Sequence, residues 1–328
     1  MNDTPLLSIQ NLKVTFQMYE GVVQAVDDVT LDIGTGETVG LVGESGCGKS
    51  VTALSILQLL PRESSRIDGR ILFDGRNLVD AGESELRNLR GNAISMIFQE
   101  PMTSLNPVLT VGRQIEEAIM LHQGLSLTDA RIRAVDMLRL VQIPAPEARA
   151  REYPHRLSGG MRQRAMIAMA LSCRPRLLLA DEPTTALDVT IQAQILELME
   201  DLKEKLGMAI LLITHDLGLI AQMASRVIVM YAGQVLEEGL VTDLFHDPLH
   251  PYTRGLLGSI PVLGRKFTAG RRQLEEIPGI VPSLFDMPRG CRFHLRCPQV
   301  MDVCREKQPP MIQLGPHRRV MCWRIPCT

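Results

Sequence analysis

The stretch GESGCGKS, residues Gly43–Ser50, decides the fold that this sequence predicts. It fits the pattern G-x-x-x-x-G-K-S, follows an apolar strand predicted at Thr38–Val42, and opens a helix predicted over Ser50–Leu60. Glycines let successive backbone N–H groups approach phosphate oxygens, and the amino terminus of the helix adds a favourable dipole. The loop in this context predicts a site for nucleotide phosphates within an α/β fold.

Two side chains of this loop have defined expected tasks. Lys49 is expected to reach the β- and γ-phosphates, and the Ser50 hydroxyl is expected to hold Mg²⁺. The candidate ATP-binding residues of this segment are Gly43, Glu44, Ser45, Gly46, Cys47, Gly48, Lys49, Ser50, Val51 and Thr52. Cys47 lies at a helix amino terminus, where a thiol pKa tends to fall, so thiol reagents are expected to inhibit and ATP to protect. The simpler alternative is that Cys47 only replaces a small serine or glycine.

Polar side chains follow three further apolar runs. Asp181 and Glu182 end the run that starts at Leu177, His215 follows Ala209–Ile213, and Gln99 follows Ile94–Phe98. In open α/β sheets, ligands bind beyond the carboxyl ends of the strands. We therefore predict that Asp181 holds Mg²⁺ and that Glu182 polarises the attacking water. His215 is expected to contact the γ-phosphate, and Gln99 to sense Mg²⁺ and the nucleophile.

A second anion-binding helix start is predicted at LSGGMRQR, Leu157–Arg164, ahead of a helix over Met161–Cys173. One chain does not need two phosphate-binding helix termini for one nucleotide. A two-fold dimer explains both, because each subunit's SGG would cap the γ-phosphate held by its partner's glycine loop.

These motifs together resemble the ATP-binding subunits of ABC transporters, over about residues 6–245. In that family GESGCGKS is the Walker A motif, Gln99 the Q-loop, LLLADE the Walker B motif, Ala186–Asp188 the D-loop and His215 the switch histidine. The resemblance implies ATP-driven closure of a head-to-tail dimer, with Asp188 in the D-loop and an aromatic residue stacked on adenine. Tyr19 is the candidate for that aromatic residue and Phe16 the alternate. The signature residues expected at the partner's ATP are Ser158, Gly159, Gly160 and Gln163.

The charge, composition and apolar runs of the chain exclude several classes of protein. The formal net charge is -2 and aromatic residues make up 4%, which argues against a nucleic-acid partner. The start, MNDTPLLSIQ, has no signal-peptide pattern, and apolar runs such as Met208–Ile213 are too short to span a membrane. We therefore expect a soluble cytoplasmic chain.

The predicted fold class is an α/β P-loop ATPase domain of the ABC type, with a RecA-like core, an antiparallel β subdomain and a helical subdomain. Residues 6–245 are expected to form this domain, with the helical subdomain at about 108–173, and 246–328 a loop-rich extension. Alternating apolar residues predict antiparallel strands at Leu7–Leu12, Lys13–Phe16 and Val29–Ile33. Thr128 is a predicted helix N-cap, and Val227–Tyr231 and Gln234–Glu237 a hairpin.

The extension contains HPYT at His250–Thr253 and five of the seven cysteines. Four of them, Cys291, Cys297, Cys304 and Cys322, suit zinc or an iron–sulfur cluster, and unligated thiols remain a third possibility. Cys327 is expected to be a bystander. The tail resembles that of the oligopeptide/dipeptide branch of bacterial ABC importers, which includes nickel importers, and within it the D-type dipeptide subunit. That resemblance implies a [4Fe–4S] cluster on these four cysteines, with zinc the alternative.

The same resemblance implies an importer at the cytoplasmic side of the inner (plasma) membrane, with this chain bound peripherally. Its expected partners are two transmembrane permease subunits, a second and different ATPase chain, and an extracytoplasmic substrate-binding protein. Peptide is the favoured cargo, and nickel or another small solute is the alternative. A stand-alone soluble ATPase, or one acting on nucleic acid, is a different class. The coiled coils typical of DNA-repair ATPases are missing from the sequence between Gln99 and the signature.

Overall fold

The computed structural model describes residues 4–99, 104–184, 187–259 and 277–326. Cys327 and Ala186 of the D-loop, both assigned from the sequence, lie outside those residues.

The strands are, in chain order, β1 (Leu7–Met18), β2 (Gly21–Ile33), β3 (Thr38–Val42), β4 (Ser65–Phe73), β5 (Arg76–Asn77), β6 (Ile94–Ile97), β7 (Leu177–Asp181), β8 (Ala209–Thr214), β9 (Arg226–Tyr231), β10 (Gln234–Leu240), β11 (Ile312–Gly315) and β12 (Arg318–Val320). The helices are α1 (Lys49–Ile56), α2 (Glu83–Leu89), α3 (Val111–Gln123), α4 (Leu127–Leu140), α5 (Pro146–Arg149), α6 (Gly159–Leu171), α7 (Val189–Leu206), α8 (Leu217–Met223), α9 (Val241–His246), α10 (Pro251–Gly258) and α11 (Asp302–Glu306), with one 3₁₀ turn at Pro154–Arg156.

The chain divides into two compact units. One, here called the signature unit, comprises residues 33–37 and 80–213 with the beginning of the chain. The other, here called the phosphate-loop unit, comprises residues 6–32, 38–79 and 214–328. The carboxy-terminal extension therefore belongs to the same compact unit as the glycine loop.

Parallel strands form the centre of the signature unit. Strand β7 pairs in parallel with β6 on one side and β8 on the other, with Ile97 opposite Ala180 and Asp181 opposite Ile213. Every residue of the three strands is buried, which matches their mainly apolar sequences. Burying one such leucine or isoleucine side chain stabilises the fold by about 1.5–3 kcal/mol. The register aligns the carboxyl ends of these strands at one edge.

Helices α3, α4 and α6 of the signature unit pack on one another. Helix α4 has its N-cap at Ser126, whose hydroxyl accepts a hydrogen bond from the Asp129 N–H. The predicted cap at Thr128 is therefore wrong by two residues. Serine and threonine can both cap a helix. Ser126 is the residue that directly precedes the first helical turn, and its own backbone is in the β region.

The phosphate-loop unit contains two sheets. In the first, the order is β2-β1-β4-β5, and β1 pairs antiparallel with β4, as the alternation predicted. Leu7–Leu12 and Lys13–Phe16, predicted separately, belong to the single strand β1, which has a register shift between Gln10 and Lys13. The second sheet carries β11-β12-β10-β9-β3 in that order.

Two features of this unit differ from the sequence prediction. Helix α1 ends at Ile56 rather than at Leu60, because Gln58 adopts a left-handed conformation, φ 52°, two residues later. The extension is also more regular than its proline content indicated. Its strand β12 pairs antiparallel with β10, with Val320 opposite Glu237, and so extends the sheet that includes the predicted β9–β10 hairpin.

Candidate functional site

The phosphate loop is closed around its lysine. The Lys49 ammonium donates to the backbone carbonyls of Gly43 at 2.8 Å and Glu44 at 3.0 Å. Lys49 itself is buried, at 6% exposure. These two hydrogen bonds hold the ammonium inside the loop, where it is available to an incoming phosphate.

Two glycines of this loop admit no other residue. Gly43 has φ 155°, and a Cβ placed there would lie 2.2 Å from the Met230 carbonyl oxygen. Gly48 has φ 100°, and its Cβ would lie 2.7 Å from the Ala25 carbonyl oxygen. Backbone from β2 and β9 therefore supports the loop from outside, so that its N–H groups can face a ligand.

Helix α1 begins at Lys49 without a side-chain cap. Its first N–H groups are therefore available to an anion, as the loop pattern requires. Ser50 and Val51 are half-buried in this first turn, and Ser45 and Gly46 are exposed. The Thr52 hydroxyl donates to the Gly48 carbonyl at 2.9 Å, so Thr52 supports the start of the helix.

The structure corrects the expectation for Cys47. Its side chain is fully buried, and burial raises the pKa of the thiol, although the nearby Lys49 ammonium opposes the shift. The helix terminus was expected to lower this pKa, but loss of solvent outweighs that effect. The expected lowering of the thiol pKa is therefore wrong, and the burial of the side chain favours the alternative that Cys47 is a small packing residue.

His215 shares a cavity with the phosphate loop. The cavity, of about 390 Å³, is lined by Gly43, Glu44 and His215 together with residues of the extension. His215 follows the last residue of β8, and Asp216 then caps α8 by accepting from the Gly218 N–H at 2.7 Å. That cap fixes the turn that carries His215, so Asp216 has a structural task that the sequence did not show.

In the signature unit, the strand ends bring Gln99 and Glu182 together. The Gln99 amide donates to the Glu182 carboxylate at 3.3 Å. Glu182 has a left-handed backbone, φ 46°, and its N–H donates to the Ile213 carbonyl at 2.8 Å. A non-glycine residue in this region is strained, and such strain is found most often at functional sites. Asp181, the preceding residue, is buried at the end of β7.

The signature segment begins helix α6 at the surface. Ser158 caps the helix by accepting from the Met161 N–H at 3.3 Å, and Ser158 and Gly159 are exposed. A Cβ at Gly160 would lie 3.0 Å from the Ile191 side chain, so a larger residue there would require α7 side chains to shift. The exposed helix start is free to meet a ligand or a partner.

The structure buries Gln163, whereas the family resemblance placed this residue at the partner's ATP. It is 2% exposed, and its amide donates to the Pro183 carbonyl, directly after Glu182. In this conformation it joins the signature helix to the segment that carries Glu182. Asp188 is the N-cap of α7 and accepts from the Ile191 N–H at 2.9 Å.

The two aromatic candidates for adenine stacking differ in exposure. Tyr19 lies in the turn between β1 and β2 with its whole side chain exposed, whereas Phe16 is half-buried within β1. A residue that receives a base from solvent needs an exposed ring face, which favours Tyr19.

Tyr252 of the HPYT segment is a contact of the phosphate loop that the sequence did not reveal. Its hydroxyl accepts a hydrogen bond from the Glu44 N–H at 3.0 Å. The ring is buried against Tyr231 and Phe293, with centroids 4.8 and 5.3 Å away. His250 caps α10 by accepting from the Tyr252 N–H, and burial lowers the pKa of His250 to about 3. These residues lie some 200 positions from the loop, so no local pattern could have linked them.

The four extension cysteines line one small cavity, of about 10 Å³, with their thiols reduced. Burial raises the pKa of Cys291 to about 11, and neighbouring thiols add to the shift. Burial also raises the pKa of Cys297 and Cys322. Four cysteines around one cavity suit a metal in their chemistry, but the space is about that of one water molecule. Among the described residues, no group of three or more His, Cys, Asp or Glu side chains is arranged to hold a metal ion.

Comparison with known families gives two matches. Residues 26–185 match the family described as "ABC transporter", and residues 236–304 match "Oligopeptide/dipeptide transporter, C-terminal region". Within the described residues, helices of a length and apolarity suited to a membrane span are absent.

Individual relatives are similar over nearly the whole chain. "Probable peptide ABC transporter ATP-binding protein y4tR" of Sinorhizobium fredii is 55% identical, covering 97% of this chain and 95% of its own. "Dipeptide transport ATP-binding protein DppD" of Bacillus subtilis is 52% identical, covering 97% and 94%. The solved dimer of the ATP-binding cassette MJ0796 with ADP and Pi is 31% identical, with a TM-score of 0.64, covering 72% of this chain and 98% of the cassette.

Proposed function

Because the chain belongs to the ATP-binding subunits of ABC transporters, in the branch with the oligopeptide/dipeptide C-terminal region, we propose that it powers peptide import. The chain is an ATPase of this family. Two relatives that cover nearly all of it are named for the transport of peptide and of dipeptide, which supports that cargo.

The phosphate loop binds Mg·ATP. Lys49 moves its ammonium from the Gly43 and Glu44 carbonyls to the β- and γ-phosphates, and Ser50 holds Mg²⁺. The uncapped N–H groups of α1 bind phosphate oxygens. Tyr19, exposed in its turn, stacks on adenine.

Hydrolysis depends on the strand-end residues. Glu182 would act as general base toward water, and Asp181 and Gln99 would help to hold Mg²⁺. The hydrogen bond from Gln99 to Glu182 supports a shared task. His215, which lines the cavity beside Gly43, positions the γ-phosphate.

One observation supports a dimer of ATPase subunits. A single chain holds a complete phosphate loop in one unit and an exposed anion-binding helix start, Ser158–Gly159, in the other. We propose that the second caps the ATP of a partner ATPase subunit in a head-to-tail pair. The relative MJ0796 was solved as a dimer, which supports this arrangement.

The proposed cargo is the one in the names of the relatives, and the proposed partners are those that the family resemblance implies. The importer contains two permease subunits, a second ATPase chain and an external binding protein, and this chain is peripheral on the cytoplasmic side of the plasma membrane. Residues 6–245 form the ATPase domain, with its helical subdomain at about 108–173, and 246–328 form the extension. The matches over 26–185 and 236–304 support that division.

The test is uptake of radiolabelled dipeptide into proteoliposomes that contain the assembled complex, its binding protein and internal Mg·ATP. We expect ATP-dependent accumulation that Glu182→Gln abolishes while the ATP Kd is retained. Accumulation of Ni²⁺ instead of dipeptide would show that the cargo is nickel, and the proposed importer function would still stand. ATP hydrolysis without any transport would contradict the importer function.

For the tail, we propose that Cys291, Cys297, Cys304 and Cys322 hold a [4Fe–4S] cluster, with zinc the alternative. The position of all four cysteines around one cavity supports this, and the small cavity requires the thiols to separate on loading. The cluster would fasten the extension's loops together. Anaerobically purified protein should carry about four irons and four sulfides, lost in Cys291→Ser. One zinc without iron would favour the alternative, and a metal-free protein would contradict both.

A further inference from the structure

The extension reaches the phosphate loop through a buried ion pair. The Arg296 guanidinium binds the Glu44 carboxylate with both terminal nitrogens, at 2.6 and 3.0 Å. The side chain of Arg296 is 4% exposed and that of Glu44 is 29% exposed. A two-point arginine–carboxylate pair with this burial is among the strong polar contacts in proteins.

Arg296 is held in place by its own surroundings. Its Nε donates to the Pro278 carbonyl at 2.9 Å, and its Nη2 also donates to the Ile277 carbonyl at 3.2 Å. The guanidinium carbon lies 5.8 Å from the centre of the Tyr231 ring. The hydrogen bond to Glu44 raises the pKa of Arg296, so the charge on the arginine is secure. The guanidinium therefore meets Glu44 in a fixed orientation.

Glu44 is fixed at three points. Arg296 holds its carboxylate, the Tyr252 hydroxyl accepts from its N–H, and Lys49 donates to its carbonyl. Glu44 directly follows the first glycine of the phosphate loop. An unpaired carboxylate there would repel the phosphates of ATP, since like charges at short range disfavour binding.

We propose that Arg296 is a positioning residue for ATP: it neutralises Glu44 and holds it in place, so that the phosphate loop keeps its affinity for the nucleotide. The carboxy-terminal extension thereby becomes a working part of the ATP site. This inference rests on the proposed binding of ATP at the phosphate loop. By linkage, ATP binding and the folding of the segment that carries Arg296 strengthen each other.

The segment around Arg296 includes two of the cavity cysteines. The N–H of His294 donates to the Cys291 carbonyl at 3.0 Å, and that of Arg296 to the Phe293 carbonyl at 3.0 Å. Arg296 immediately precedes Cys297 in this turn. This backbone turn therefore connects Arg296 directly to two of the cavity cysteines.

The experiment measures the Kd of Mg·ATP by calorimetry on the full-length chain. We expect Arg296→Met to raise the Kd about tenfold, and Glu44→Gln added to it to restore the Kd to within about threefold. Arg296→Lys keeps the charge but loses the two-point geometry, so its Kd should lie between those of the wild type and Arg296→Met. It also provides a second test if Arg296→Met folds poorly.

The matched control is Arg319→Met. Arg319 is another extension arginine, 17% exposed, and it pairs with Glu238 at 2.5 Å on strand β10. Its loss should leave the Kd unchanged. An unchanged Kd in Arg296→Met, or a double variant as weak as Arg296→Met, would overturn the proposal. A folded wild-type chain that binds no ATP would instead overturn the proposed function.

Discussion

The two helix starts that are predicted to bind phosphate are built differently. At α1 the lysine is buried, backbone from distant strands blocks any side chain at Gly43, and Glu44 is held by the extension. At α6 a serine caps the helix, and both Ser158 and Gly159 are exposed. The first has its supporting contacts within one chain. The second offers N–H groups to solvent, and we infer that a partner's nucleotide completes it.

The largest expected effect is on the first of these sites. Lys49→Ala removes the buried ammonium that donates to Gly43 and Glu44. Charge-assisted hydrogen bonds contribute about 1.5–3 kcal/mol each, so the ATP Kd should rise at least about 100-fold. Calorimetry with Mg·ATP measures this change. Lys205→Ala removes an exposed lysine 3.9 Å from Asp201 and should bind as the wild type does. Equal binding by both variants would contradict the assignment of Lys49.

A second prediction concerns backbone support of the phosphate loop. Gly43→Ala places a methyl group 2.2 Å from the Met230 carbonyl, whereas Gly46→Ala meets nothing within 4 Å. Both residues have positive φ, so each substitution costs about 1 kcal/mol of unfolding free energy from backbone strain. Gly43→Ala should cost about 2 kcal/mol more, because its clash is with backbone. Urea denaturation measures the difference, and equal losses would show that the loop is not held from outside.

Thiol chemistry provides a third prediction. Buried Cys47, with its raised pKa, should react with N-ethylmaleimide at pH 8 at least about tenfold more slowly than half-buried Cys297. Mass spectrometry of peptides from the metal-free protein follows both residues in one sample. Fast labelling of Cys47 that ATP prevents would restore the interpretation from the sequence.

The features that could be predicted from the sequence are those set by residues close together along the chain. The glycine loop, the signature and the strand-end acids were placed correctly along the chain because their spacing is set by a few neighbouring residues. Burial of Cys47 was not visible, because the surrounding backbone includes Met230, far along the chain. The end of α1 depends on the left-handed Gln58, which no pattern indicated. The pairing of β12 with β10, and of Arg296 with Glu44, likewise joins segments that only the fold brings together.

A fourth prediction concerns the extension. Burial raises the pKa of Cys291 to about 11 from an ordinary 9.0, so the folded chain holds this proton more tightly than the unfolded chain. The resulting stability is fully present below pH 9 and is lost as the pH rises through 11. Urea denaturation of metal-free, reduced protein should show a loss of up to about 2 kcal/mol between pH 8 and pH 11. Cys291→Ala should flatten that dependence, and an equal slope in both proteins would contradict it.

The central claim is that the two helix starts of one chain serve two different nucleotides. Ser158→Arg tests it most directly, since it blocks the exposed start of α6 and leaves the phosphate loop intact. The measurement is the Kd of Mg·ATP for the purified chain, beside ATP turnover by the assembled transporter. We predict an unchanged Kd and at least about a 100-fold loss of turnover. A weakened Kd in the isolated chain would mean that both helix starts bind the same ATP, and would contradict the account.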